Sequence, residues 1–310
     1  MDKPFLPISG QIELLHSRGM NTDSNTDRLL RREGYYSIVN GYKRPFLDEQ
    51  KTLASSDDRY QLHSEFRDMY MLFQLDRNFR EVVFPYLLRS EATVKTALAY
   101  CFSEQHQEPD AYLIKENYCA GAEFIYPQHY EKELDCLISC LKDKANDKSS
   151  AFIVHYRTHH HTVPLWVLTN NLTFGNVSHF YNLVKPKEKE LICKMITRAV
   201  GRNLIMRKRQ LTPSKARVSL EALYKFRNMC AHDDRLYNAY VGKRKHINFI
   251  GMIKHMEPFV TVQEYDELLA NLALLIEKYR TQSNKVNELL NSLGYIELLE
   301  MSPVNSAGQF

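Results

Sequence analysis

Apolar residues recur at intervals of three and four along most of this chain, and that spacing admits little besides helix. Leu72, Leu75, Phe79, Val82, Val83 and Tyr86 trace one buried helical face, and Leu134, Leu137, Ile138 and Leu141 trace another. The period returns in Leu268, Leu269, Leu272, Leu275 and Ile276, within a pattern long enough for five or more turns. Strand alternation is scarce: residues 151–154 are the one short candidate, and they read equally well as a helix opening after Ser149 and Ser150. Pro127, Pro186 and Pro213 fit helix starts, where proline has no amide bond to lose, and Thr212 can cap the amides that follow it. The sparseness of glycine and proline, 11 of each in 310 residues, argues against a loop-rich all-β protein. The expectation is an all-α chain, a helical core with additional helices at the N- and C-terminal ends. Breaks are expected at 48–58, 104–110, 142–150 and 242–246. The corresponding division is an N-terminal helical segment with an aromatic cluster (1–60), a helical core (61–250) and long C-terminal helices packing on it (251–310).

Composition excludes several functional classes. No charged-then-apolar leader opens the chain and no apolar run approaches 18 residues, so a cytoplasmic protein without membrane attachment is expected. The six cysteines are too few and too scattered for a disulfide scaffold. Cys136 and Cys140 fall in an amphipathic pattern and read as packing. Near the N-terminus, one helix ends at Gly19 and a second starts at Arg28, followed by Tyr35, Tyr36, Tyr42 and Phe46. Two short helices can read nucleic acid, but these aromatics are expected to pack the segment onto the core.

The residues with the most chemistry are Arg227-Asn-Met-Cys-Ala-His232-Asp-Asp-Arg235. A guanidinium offers a planar fork of donors to a phosphate, and an imidazole moves protons near neutral pH. Together they suit phosphodiester cleavage that needs no metal. RNA carries its own nucleophile, the 2′-hydroxyl, so the protein has to align it, move protons and stabilise the non-bridging oxygens. His232 is the expected general acid/base, Arg227 the charge stabiliser, and Asn228 an orienter of the imidazole or of a phosphate oxygen. Five positions of ideal helix turn about 140° and rise about 7.5 Å. Arg227 and His232 therefore do not share a face cleanly, whereas Asn228 and His232 do. The competing structural reading pairs Arg227 with Asp233 or Asp234 and leaves His232 at the helix end.

Positive charge is concentrated just upstream. The chain carries only +4 net, yet Lys194, Arg198, Arg202, Arg207, Lys208, Arg209, Lys215 and Arg217 lie in a stretch with no acid between Glu190 and Glu221. Such a run can bind phosphates with steep salt dependence, or it is a solvated basic face. Lys243-Arg-Lys-His246 is a shorter patch. His155, His159, His160 and His161 lack a carboxylate or thiolate partner in a zincin arrangement, so no metal is expected there, and no cofactor fingerprint is present.

Four blocks carry a family resemblance. They are Lys3-Pro-Phe-Leu-Pro-Ile-Ser-Gly-Gln11 with Gly34-Tyr-Tyr-Ser-Ile-Val-Asn-Gly-Tyr42; Leu75-Asp-Arg-Asn-Phe-Arg80 with Arg89-Ser-Glu91; Pro164-Leu-Trp-Val-Leu168 with Thr173-Phe-Gly175; and the Arg227 to Arg235 motif. In order and content the chain resembles the AbiF/AbiD-type abortive-infection proteins (the Abi-2 family) of bacterial phage defence. The resemblance implies a helical HEPN fold, an Arg-x4-His ribonuclease motif like that of the type VI CRISPR effectors, and a toxic activity that stops growth of infected cells. It further implies a structured non-coding RNA as a restraining partner of some members. Glu91, in the Arg-Ser-Glu block, reads either as support for the site from a neighbouring helix or as the buried ion-pair partner of an arginine, and Asp233 and Arg235 are expected as further supporting residues. HEPN proteins commonly set two motifs face to face. This chain has one copy, since Arg157 and His161 are separated by three residues, so a homodimer with a composite site is expected. Three classes follow: an endoribonuclease toxin, a non-cleaving RNA-binding or regulatory HEPN protein, and a metal-dependent hydrolase using the His155 to His161 cluster.

Overall fold

Helices form where the apolar period is unbroken and stop where glycine, proline or a capping side chain interrupts it. The computed structural model describes residues 5–201, 211–242 and 247–303. In chain order the α-helices are α1 (Ile8–Ser17), α2 (Thr26–Glu33), α3 (Glu49–Ser55), α4 (Phe66–Gln105), α5 (Tyr130–Ala145), α6 (Ala151–His160) and α7 (Leu165–Leu168). They continue as α8 (Phe174–Leu183), α9 (Pro186–Ala199), α10 (Pro213–Ala231), α11 (Phe249–Met256), α12 (Val262–Arg280), α13 (Asn284–Ser292) and α14 (Ile296–Met301). Among the described residues only isolated bridges, and no sheet, accompany them. The fold is all-α. Two compact units divide it: Met1–Val82, Arg235–Asn238 and Leu269–Phe310 make the first, and Val83–Asp234 with Ala239–Leu268 the second.

Local rules explain most boundaries. Pro186 and Pro213 stand at the first positions of α9 and α10, and the Thr212 hydroxyl accepts from the Lys215 amide at 3.2 Å. Pro127 opens a single 3-10 turn leading into α5. Gly19 (φ +88°) follows the end of α1, a left-handed position at which a side chain would be strained. The ambiguous residues 151–154 are helical and open α6. Breaks fall after Gln105 and between Ala145 and Ala151, as expected. The stretch 48–58 differs: it contains α3, whose first turn is capped by Asp48 accepting from the Lys51 amide at 3.0 Å. Its polar sequence hides the helix because none of its residues is buried, so no apolar period marks it. The expected break at 242–246 lies mostly outside the described residues.

In the first unit, Tyr42 and Phe46 are buried in a cluster with Leu15, Leu30, Phe66 and Phe73. Tyr42 stacks on Tyr237 at 5.7 Å and meets Phe73 edge-on at 5.4 Å. Tyr35 packs at the margin of this cluster, but Tyr36 is 79% exposed, so it does not pack as expected. Residues 36–40 wind as a π-helical turn, which rotates Ile38 and Val39 inward at the expense of Tyr36. At the cluster's centre is Asp76 on α4, whose side chain has no exposed surface. It accepts from the Tyr42 hydroxyl (2.7 Å), Arg80 Nη1 (2.8 Å) and the backbone amides of Leu236 (3.0 Å) and Tyr237 (2.5 Å). Burial pushes this carboxyl above the usual carboxylate range, and the four donors pull the other way by favouring its charged form. Asp76→Ala takes a buried anionic acceptor away from Arg80 and Tyr42 and orphans two buried amides. It is expected to lower unfolding stability by roughly 3–5 kcal/mol, read as a shift of the urea midpoint. A midpoint within error of the wild type would show that the carboxylate does not hold this unit together.

The second unit holds α5 to α11 with parts of α4 and α12. Within it α10 packs against α8, α9 and α11. Its inward stripe is Ala216, Ser219, Leu220, Leu223 and Phe226, at helical spacing. Leu165, Val167 and Leu168 of α7 are likewise buried, and Thr173 caps α8 by accepting from the Asn176 amide at 3.1 Å. Among the described residues no helix is long and apolar enough to cross a membrane.

Candidate active site at the end of α10

The Arg227 to His232 motif occupies the last turn of α10 and the turn that stops it. His232 is the helix's C-cap residue, with its amide donating to the Asn228 carbonyl at 3.0 Å. Asp233 then adopts a left-handed conformation (φ +57°), and the Asp234 amide reaches back to the Met229 carbonyl at 2.9 Å. This is the Schellman arrangement, usually made with glycine at the left-handed position. Here aspartate takes it, one of the few side chains that does so at modest strain. The turn leaves the His232 side chain at the exposed helix end. Among the described residues no group hydrogen-bonds to its imidazole or pairs with it.

Arg227 is treated differently. Its Nε donates to Glu91 Oε2 at 3.2 Å, and Glu91 Oε1 receives Lys95 Nζ at 2.8 Å. Glu91 is buried, with only 8% of its side chain exposed, so its charge needs both cations. Arg227 Nη1 also makes a long contact of 3.4 Å to Asn228 Oδ1. The alternative that paired Arg227 with Asp233 or Asp234 named the wrong carboxylate. The structure supplies Glu91 of α4, 136 positions away. Both readings offered for Glu91, supporting neighbour and ion-pair partner, therefore describe one contact. Lys95 was missed, although its place one turn after Glu91 is a recognisable i, i+4 pair.

The remaining expected residues are spread more widely. Lys194 and Arg198 are exposed on one face of α9, Lys215 is exposed on α10, and Arg217 is half-buried. Arg202, Arg207, Lys208 and Arg209 lie outside the described residues, as does the patch at 243–246. Arg235 belongs to the first unit, where its guanidinium donates to the Gly41 carbonyl at 2.8 Å. On α6, His155 and His159 stack at 4.5 Å, and His159 Nδ1 is bonded to the His155 carbonyl at 3.0 Å. Among the described residues no three histidines, cysteines or acids gather as a metal site. Cys136 is exposed, which corrects its reading as a packing residue; Cys140, half-buried, accepts from the side-chain Nδ2 of Asn176 at 3.3 Å.

Residues 28–238 match the family described as Abi-like protein. No curated protein and no solved structure matches the chain. The matched span includes both Glu91 and Arg227, so the ion pair can be tested as a structural unit. Glu91→Ala leaves two cations facing each other without a counterion. It is expected to lower stability by about 1–3 kcal/mol. Arg227→Ala should be milder, because Lys95 still answers Glu91. Denaturation midpoints in the opposite order would overturn this account of the pair.

Proposed function

The chain belongs to the Abi-like protein family, a membership that points to abortive infection in phage defence, and we propose that it serves that role by cleaving RNA. The observation that carries the reading is the contrast within one helix turn. Arg227 is held in place by a buried carboxylate, whereas the imidazole five positions on is exposed and unengaged among the described residues. A nuclease needs both properties, a charge whose position does not drift and a proton carrier open to substrate.

In the proposed reaction the 2′-oxygen of a ribose attacks the adjacent phosphorus. The O2′–P bond forms and the P–O5′ bond breaks. A base takes the proton from the 2′-hydroxyl and an acid delivers one to the departing 5′-oxygen. The products are a 2′,3′-cyclic phosphate and a 5′-hydroxyl, and no metal enters the proton inventory. His232 fills one of the two proton roles. Arg227, through the guanidinium nitrogens that Glu91 does not occupy, faces the non-bridging oxygens. Asn228 orients the phosphate or the imidazole, and Asp233 places negative charge beside the imidazole. A second copy of the chain supplies the other imidazole, which makes the active form a homodimer. The basic run around Lys194, Arg198, Lys215 and Arg217, with Arg202 and Arg207 to Arg209, tracks the RNA backbone and offers a surface for a restraining structured RNA.

The engagement of Arg227 by Glu91 also suits a second reading, an RNA-binding regulatory protein in which the arginine is structural. Induced expression of wild type and His232→Ala separates the two. The nuclease reading expects growth arrest and fragmented RNA with 2′,3′-cyclic phosphate ends from the wild type alone. Purified protein is expected to keep cleaving in EDTA, with kcat lowered about 10²–10⁴-fold by the substitution. Equal toxicity of both proteins, or RNA binding without cleavage by either, would favour the binding protein. Cleavage by a species that stays monomeric at assay concentration would remove the composite site.

A further inference from the structure

Within the second unit, α4 and the turn formed by α7 and residues 169–171 enclose a cavity of about 720 Å³. That volume is in the range of small-molecule sites. Two large aromatic side chains line it, Tyr100 from α4 and Trp166 from α7, and both are left in solvent, at 56% and 59% exposure. Trp166 stands between residues that are all in the core: Leu165, Val167 and Leu168 are buried. The turn is thereby anchored, and its one exposed apolar side chain is presented by a fixed backbone. A solvent-facing indole on an anchored turn, in the same lining as a second exposed ring, offers a stacking surface.

The polar lining is specific about what should lie there. Asn170 Nδ2 is engaged with the carbonyls of Trp166 (3.4 Å) and Val167 (3.3 Å), so its Oδ1 is left as an acceptor. Glu104, a second acceptor, takes a weak bond from the Tyr100 hydroxyl at 3.3 Å. The same cavity is lined by Glu91 and Lys95, the residues that hold Arg227. Glu91 and Glu104 are 13 positions apart on α4, about 20 Å along its axis, so the arginine's anchor and the Glu104 acceptor stand toward opposite ends of one groove.

We infer that this groove receives an unpaired base of a single-stranded RNA whose backbone continues toward Arg227. The base stacks on Trp166 and Tyr100 and turns an amino-bearing edge to Asn170 and Glu104. The inference rests on the nuclease reading for the identity of its substrate. It adds a preference that reading does not contain: adenine, cytosine or guanine over uracil, because the Glu104 carboxylate rewards an exocyclic amine more strongly than the neutral hydroxyls of Thr96 and Ser103 in the same lining reward a carbonyl.

The chain's single tryptophan is its own reporter. Full-length His232→Ala protein, titrated with eight-nucleotide oligo(A), oligo(C) and oligo(U), is expected to show quenching of Trp166 fluorescence by the first two, with at least about fivefold weaker binding of oligo(U). Fluorescein-labelled oligo(A) anisotropy should show binding weakened roughly five- to a hundredfold in Trp166→Ala and largely kept in Trp166→Phe. Duplex RNA should not quench, and AMP should bind more weakly than oligo(A). An unquenched tryptophan, unchanged affinity in Trp166→Ala, oligo(U) binding as tightly as oligo(A), or AMP binding as tightly as oligo(A) would each overturn the base pocket. RNA cleavage by wild-type protein with no quenching would sink this inference and leave the nuclease reading standing. Quenching with the stated preference, in a protein whose wild type cleaves nothing, would support the pocket and sink the nuclease.

Discussion

A buried carboxylate has to be answered by donors, and α4 carries two such carboxylates. Asp76 and Glu91 lie on the same helix, and each is satisfied by residues far away in sequence: Leu236 and Tyr237 for the first, Arg227 for the second. Removing a partner strands a charge in low dielectric, which is why such pairs tolerate few alternative arrangements. In the first unit the Asp76 cluster draws the segment Arg235–Asn238 into a core otherwise built from the two ends of the chain. In the second, Glu91 sets where the last turn of α10 holds its arginine.

The division of labour at the helix end follows from the same logic. Arg227 has one face committed to Glu91, so its guanidinium is preorganised before any ligand arrives, which is the condition under which a positive charge stabilises a transition state most. His232 follows the last helical residue, where the Schellman turn carries the backbone away and leaves the side chain in water. Arg227 lies in the last turn of α10 and His232 just past its end, so their five-residue spacing is not bound to the face geometry of an ideal helix.

Much of the architecture was legible in advance because helix and helix stop are local phenomena. Pro186, Pro213 and Thr212 mark their boundaries through missing amides and capping oxygens, and the stripe from Leu72 to Tyr86 marks its face through a 3.6-residue period. The failures are equally physical. The helix at 49–55 buries nothing and so has no period to read. Tyr36 and Tyr35 are indistinguishable by composition, yet a π-helical turn exposes one and tucks in the other. Cys136 and Cys140 are four apart on an amphipathic helix, but only one of them comes near a neighbouring element.

For the site, the chain by itself determined the residue types and their order: an arginine, an amide, an imidazole and two acids closing a helix, preceded by a run of bases. It also determined that this segment would be helical, because the apolar period of α10 and the proline and threonine before it are local signals. Which carboxylate would claim the arginine was decided only in three dimensions. Asp233 and Asp234 are closer in sequence, but the helix-ending turn carries them past the end of the helix. Glu91 is brought in by the packing of the second unit, and burial makes it the acid with most to gain from a cation. The exposure of Trp166 and Tyr100 in the lining of one cavity was likewise invisible in the sequence. Nothing local distinguishes a ring that fills a core from one that waits in solvent until the neighbouring residues have claimed the interior.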